Sequence, residues 1–256
     1  MDAIVTAGGR IHGAWAEMEG VAVKAMLELD GATLLERTLE AVRGCRLVDR
    51  ICVVGPREVE PTALRAGADL FAEEGETGID NLLRGVNTLG APGQVLCSAS
   101  DLPFIRPSDI EDAIRLTPPD AELSYLVFSR REWEESFSSD GCFFVPLSDG
   151  EFTGGCVFVL DAGLLKRIEP VLQKAFSVRK SMTGMAGLFG PALVLRFILG
   201  RCVHRSLGPS TADLCRRTEV MLHCKSAVVR GCSPRLAADV DDQADWNAVR
   251  AASARL

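Results

Sequence analysis

Two patterns of apolar positions alternate over the first 115 residues. In one, short stretches are almost entirely apolar or β-branched: Asp2–Thr6, Ile51–Val54, Asp69–Ala72 and Gln94–Cys97. Such runs read as strands buried on both faces. In the other, apolar residues recur every three or four positions behind a polar cap. Thr33-Leu34-Leu35-Glu36 is a capping box with Leu35, Leu39 and Val42 at helical spacing behind it, so a helix is expected to about Arg43. Ser108-Asp109-Ile110-Glu111 reads as a second box, opening a helix that stops before Pro118-Pro119. Further helices are expected near Ala63 and from about Asp80 to Leu89. Strand and helix in alternation predict an α/β fold of three layers, a mostly parallel, twisted, Rossmann-like sheet with helices on both faces.

The second half is less regular. Leu123–Phe128 reads as a strand, and residues 130–140 as a polar, acidic loop carrying Arg130, Arg131 and Trp133. Cys142–Val145 and Gly155–Leu160 flank Asp149-Gly150, which suggests a β excursion from the main sheet. Helical sequence fills residues 162–176 and about 191–218, a helical insertion. The acidic stretch Ala238–Asp245 reads as a strand end passing into a last helix through Trp246.

Composition narrows the function. The 256 residues carry 47% hydrophobic content, enough for one large core, so a single domain over 1–256 is expected. With 35 acidic against 28 basic residues the net charge is -7, which offers no global field for nucleic acid and favours small-molecule chemistry. Nine cysteines, scattered without a CxxC pair, fit reduced, mostly buried thiols in a cytoplasm. Met1-Asp2 leads straight into strand-like sequence, and export is not expected. Met182–Leu195 is uncharged and rich in Gly, Met and Leu, but it is shorter than the roughly 20 apolar residues a membrane span needs and contains Pro191. Buried helix is the plain reading. Arg179, Lys180, Arg196, Arg201 and Arg205 around it leave a peripheral membrane contact as a second one.

Ligands of such sheets bind at the carboxyl ends of the strands, which puts Ala7-Gly8-Gly9 and Asp101 on one rim. Paired glycines let the backbone turn sharply and lie close to a ligand. Alone, the turn is as consistent with a bare strand end as with a nucleotide cradle, because it has neither dinucleotide spacing nor a P-loop lysine. Asp101 follows a buried strand, where an enclosed carboxylate needs a partner; a divalent cation or a helix or turn cap would serve. Cys215, His223, Cys224 and Cys232 match no zinc spacing, and the histidines His12, His204 and His223 form no nucleophile motif.

Taken in order, Ala7-Gly8-Gly9, Lys24-x-Met-Leu-x-Leu-x-Gly31-x-x-Leu-Leu-Glu36, Ser100-Asp101-Leu102-Pro103-Phe104-Ile105 and Asp239–Asp245 resemble the GT-A-like nucleotidyltransferases. The likeness is greatest to the branch of the molybdenum-cofactor guanylyl- and cytidylyltransferases. It is strong over 1–115 and at the C-terminus and weak between 116 and 235. The resemblance implies a nucleotide-binding half (1–115), an acceptor-binding half (116–235) and a C-terminal acidic turn and helix (236–256). It further implies that the backbone of Ala7, Gly8 and Gly9 holds a nucleoside triphosphate such as GTP. Lys24, with help from Arg10, would steady the charge on departing pyrophosphate. Asp101 and Asp241, with Asp239 in reserve, would bind Mg2+; Gly78 and Asn81 would help select the base. Asp242 and Asp245 read instead as local helix caps. The family's Arg-Met-Gly after the glycine turn is replaced here by Ile11-His12-Gly13-Ala14-Trp15 in a longer loop, which puts the triphosphate grip in question.

The reaction expected is transfer of a nucleotidyl group to a phosphorylated small-molecule acceptor, with release of pyrophosphate, possible in molybdenum-cofactor biosynthesis. Two alternatives stand beside it: a sugar-phosphate nucleotidyltransferase or glycosyltransferase on the same fold, and a non-catalytic nucleotide-binding or membrane-peripheral protein.

Overall fold

The computed structural model describes residues 1–90, 93–137, 142–178 and 190–253. Strand β1 (Asp2–Thr6) leads to helix α1 (Gly13–Glu19), a ribbon of β2 (Glu28–Leu29) and β3 (Ala32–Thr33), and α2 (Leu34–Gly44). β4 (Ile51–Gly55), α3 (Glu60–Arg65), β5 (Leu70–Glu73), α4 (Gly78–Leu89), β6 (Gln94–Ala99) and α5 (Pro107–Leu116) complete the first half. The second half holds β7 (Leu123–Ser129), α6 (Arg130–Glu134), β8 (Val145–Leu147), β9 (Gly150–Gly154), β10 (Val157–Asp161) and α7 (Ala162–Val178). It continues through α8 (Pro191–Cys202), α9 (Thr211–Leu222), β11 (Ser226–Val229) and α10 (Gln243–Ser253).

Nine of these strands form one sheet in the order β5-β4-β1-β6-β10-β7-β9-β8, with β11 on the far edge of β7. The first four are parallel, and β1 sits between β4 and β6 in registers Val5↔Val53 and Val5↔Ser98. β11 is parallel to β7, whereas β10 runs antiparallel to both of its neighbours and β9 antiparallel to β7. The sheet is therefore mixed but mostly parallel in direction, as the alternating pattern predicts.

Burial follows the strand faces. Leu35, Leu39, Val42 and Ile110 from α2 and α5 cover one face of the sheet against Ala3, Val5 and Val53. Val86, Leu89, Leu164, Leu165 and Ile168 from α4 and α7 cover the other against Ile4, Cys52 and Cys97. A third cluster locks the C-terminal helix to the glycine-turn loop: Trp246, fully buried, packs with Val240, Ile11, Leu27 and Leu34. This cluster brings two ends of the chain together at the rim.

Several boundaries differ from the sequence reading. The loop after the glycine turn is not bare: α1 lies within it, seven residues whose Trp15 and Ala16 are only partly buried against the third cluster, too short a helix for its spacing to announce it. The second capping box is displaced. Helix α5 begins at Pro107, the Arg106 amide donates to Asp109 Oδ2 at 2.9 Å, and Ser108 lies inside the first turn. Residues 130–134 are helical, capped by Ser129 through Glu132, and Trp133 is buried. The excursion at Asp149-Gly150 is the β8–β9 hairpin; Val157–Asp161 belongs to the main sheet. The 191–218 helix is two helices, broken between Cys202 and Thr211. Residues 238–242 are not a strand. Residues 179–189, which include most of the Met182–Leu195 stretch, lie outside the described residues; Leu195 and Ile198 of α8 are exposed. No helix among the described residues is long and apolar enough to cross a membrane.

Candidate active site

Because β5, β4, β1 and β6 are parallel, their carboxyl ends share one rim, ordered Glu74, Gly55, Gly8 and Asp101. β10 enters this rim from the opposite direction, with Cys156 O accepting from the Ala99 amide at 3.0 Å. Two walls result.

The glycine-turn wall is self-neutralising. Arg10 donates through Nη1 to Gly8 O at 2.8 Å and through Nη2 to Glu74 Oε1. A Cβ on Gly8 would meet the Glu74 carboxylate, a side-chain end that would have to swing aside, and the Asn81 amide nitrogen at 3.3 Å. Asn81 is buried in α4, and its Oδ1 accepts from the Gly75 amide at 2.7 Å. Thr77 and Asp80 form the capping box of α4, which fixes the loop from Glu74 to Gly78. Asn81 is thus brought to the turn, while a Cβ on Gly78 would meet nothing. Glu74 was missed by the sequence reading. Its signal was an acidic residue ending a strand just before a glycine loop.

The carboxylate wall is not neutralised. Lys24 opens a 3-10 turn, and its amide donates to Gly9 O at 2.9 Å, tying it to the glycine turn. Its Nζ lies 3.1 Å from Asp101 Oδ2 and 3.5 Å from Asp241 Oδ1. The Val240 amide donates to Asp101 O at 3.2 Å, which carries the C-terminal turn onto the end of β6. Asp242 and Asp245 cap α10: Asp242 Oδ1 accepts from the Asp245 amide at 3.0 Å, and Asp245 Oδ2 from the Asp241 amide at 3.0 Å. They are local structure, as expected, and this leaves Asp241 turned to Lys24.

Electrostatics separates the walls. Burial raises the Asp101 pKa by more than the neighbouring ammonium of Lys24 lowers it. Burial and the like charges of Asp101 and Asp241 push Asp239 up to about 6. For Lys24, burial works against the charge, and the carboxylates of Asp101, Asp241 and Asp239 more than offset it, so its pKa is raised. Three carboxylates around one ammonium leave uncompensated negative charge. The oxygen-only donor set suits a hard divalent cation, which takes one or two carboxylates and completes its shell with phosphate oxygens and water. Among the described residues, no three His, Cys, Asp or Glu side chains enclose an ion on their own.

A glycine turn, a lysine and paired carboxylates thus meet at the carboxyl rim of this sheet, where α/β folds of this class bind their ligands. The model of the MobA-like NTP transferase domain matches residues 3–245. The chain belongs to this family and is a nucleotidyltransferase. A hypothetical transferase from Thermus thermophilus is 27% identical, with a TM-score of 0.82, over 95% of this chain and 98% of its own. The 4-diphosphocytidyl-2C-methyl-D-erythritol synthase of Anaerococcus prevotii shares the fold at 16% identity and TM-score 0.62, covering 98% and 94%. So does a CMP:2-keto-3-deoxy-manno-octonic acid synthetase solved with CTP, at 16% identity and TM-score 0.59, covering 99% and 98%. No curated protein matches the chain.

Proposed function

We propose that the rim catalyses Mg2+-dependent transfer of a nucleotidyl group from a nucleoside triphosphate to a phosphorylated small-molecule acceptor. The observation that carries this is the Lys24–Asp101–Asp241 cluster, an ammonium between carboxylates with negative charge in excess. Asp101 and Asp241 would hold the cation, with Asp239 within the same field, and the metal would supply charge to offset that of the triphosphate.

The backbone of Ala7, Gly8 and Gly9 lies under the nucleotide, and Asn81 and the Gly78 loop face the base. Lys24, tied to Gly9, steadies the charge that gathers on pyrophosphate as it leaves. Arg10 reaches the phosphates on leaving Glu74. An acceptor phosphate oxygen attacks the α-phosphorus, a P–O–P bond forms, and the bond to pyrophosphate breaks. That oxygen is already anionic, so no general base is required, and positioning with electrostatics supplies the acceleration. Residues 116–235 shape the acceptor pocket. The molybdenum-cofactor branch suggests GTP as donor, and two structural neighbours named for cytidine nucleotides suggest CTP.

Pyrophosphate release is measured with each of the four ribonucleoside triphosphates, Mg2+ and a pool of phosphorylated small molecules as acceptors. The reading expects release from one triphosphate, dependent on Mg2+ and on the pool. Equal release without Mg2+, or none from any triphosphate, overturns it.

A further inference from the structure

The two segments that bear the carboxylates are joined behind the site by an ion pair. Asp109, 2% exposed, sits in the first turn of α5, which follows Asp101 through Leu102–Arg106. Its two oxygens accept from Arg235 Nε at 2.8 Å and Nη2 at 2.6 Å, a bidentate fork. Arg235 lies in the 3-10 turn Pro234–Ala237, directly before Asp239 and Asp241. Asp109 Oδ2 also accepts from the Arg106 amide, so one carboxylate caps α5 and holds the C-terminal turn. The Arg235 pKa is raised by its bond to Asp109.

We propose that Asp109 and Arg235 are positioning residues: a clasp that sets the gap between Asp101 and Asp241 and thereby the site's affinity for a divalent cation. This rests on the reading that those carboxylates bind metal. The physical reason is that Mg2+ demands near-ideal octahedral geometry and tolerates little error in the placing of its few protein oxygens. Besides the clasp, the Pro234–Asp241 segment is held by the buried side chains of Leu236, Ala237, Ala238 and Val240, by the Asp241–Lys24 ion pair, and by backbone bonds, Cys156 amide to Leu236 O at 2.7 Å and Val240 amide to Asp101 O at 3.2 Å. These hold the segment at points on either side of Asp239; the clasp fixes its distance from α5. Outer residues that orient ligands typically change metal affinity by roughly 10–100-fold.

The test is Mn2+ titration of the metal-free, full-length protein, alone and with GTP or CTP added, with free Mn2+ followed by electron paramagnetic resonance. Arg235→Gln is expected to weaken Mn2+ binding by roughly 10-fold or more. Arg235→Lys keeps the charge and loses the fork, and a weakening of roughly threefold is expected. This milder variant carries the test if Arg235→Gln does not fold. Val86→Ala, on the buried face of α4, controls for lost stability: it lowers the melting temperature and leaves Mn2+ affinity at the wild-type value. Folded Arg235 variants that bind Mn2+ as wild type does, or a Val86→Ala protein that weakens binding as much, overturn the clasp. A wild-type protein that takes up no Mn2+ beyond what the triphosphate alone binds, with the triphosphate present or absent, overturns the metal reading itself, and the clasp's role with it.

Discussion

The two walls of the rim are built from similar charged groups and reach opposite electrostatic states. On the glycine-turn wall, Arg10 and Glu74 answer each other, and Asn81 satisfies the Gly75 amide. On the carboxylate wall, Asp101, Asp239 and Asp241 share a single ammonium. Paired charges at a surface are worth little and exchange partners at small cost. Unpaired charges in a partly buried site carry a standing penalty that an incoming cation relieves. The first wall is thus electrostatically settled, and the second is left with negative charge in excess.

Substitutions that break this contrast are ordered by expected size. Asp101→Asn removes the carboxylate at the centre of the second wall, and pyrophosphate release should fall by roughly 10³-fold. Lys24→Ala deletes the one cation that the described residues place there and should cost roughly 10²-fold in the same assay, with a smaller effect on triphosphate binding.

Asp239→Asn addresses the penalty directly. The folded-state pKa of about 6 lies above the ordinary carboxylate value of 3.8, so the folded state holds a proton that the unfolded chain has released. Stability therefore falls as pH rises from about 4 to about 6 and stays lowered above that. Without metal, Asp239→Asn should gain on the order of 3 kcal/mol over wild type at pH 7 and nothing below pH 4, as urea melts in EDTA would reveal. The smallest effects belong to the first wall: Arg10→Ala or Glu74→Gln should change the maximal rate by less than about tenfold, seen chiefly as altered KM for the triphosphate.

The same contrast explains what was legible in the sequence. Strands β1, β4 and β6 are announced by apolar runs because both of their faces are buried, and Thr33 and Glu36 announce α2 by satisfying its first amides. Lys24, Asp101 and Asp241 converge as the motif order implied. Less visible were features that depend on tertiary partners. Asp109 caps α5 from the third helical position and also receives Arg235 from 126 residues away, a pairing that no local pattern encodes. The antiparallel entry of β10 looks, in sequence, like the second strand of a hairpin. α1 packs Trp15 and Ala16 only partly buried against the third cluster, in a helix of seven residues too short for its periodicity to stand out.

The central claim is that Asp101 anchors a cation shared with the triphosphate. Calorimetric titration of wild type and Asp101→Asn with the preferred triphosphate, with and without Mg2+, tests it most directly. The account predicts that Mg2+ tightens binding to wild type by roughly tenfold or more and leaves Asp101→Asn nearly indifferent. An equal Mg2+ effect on both proteins would contradict it.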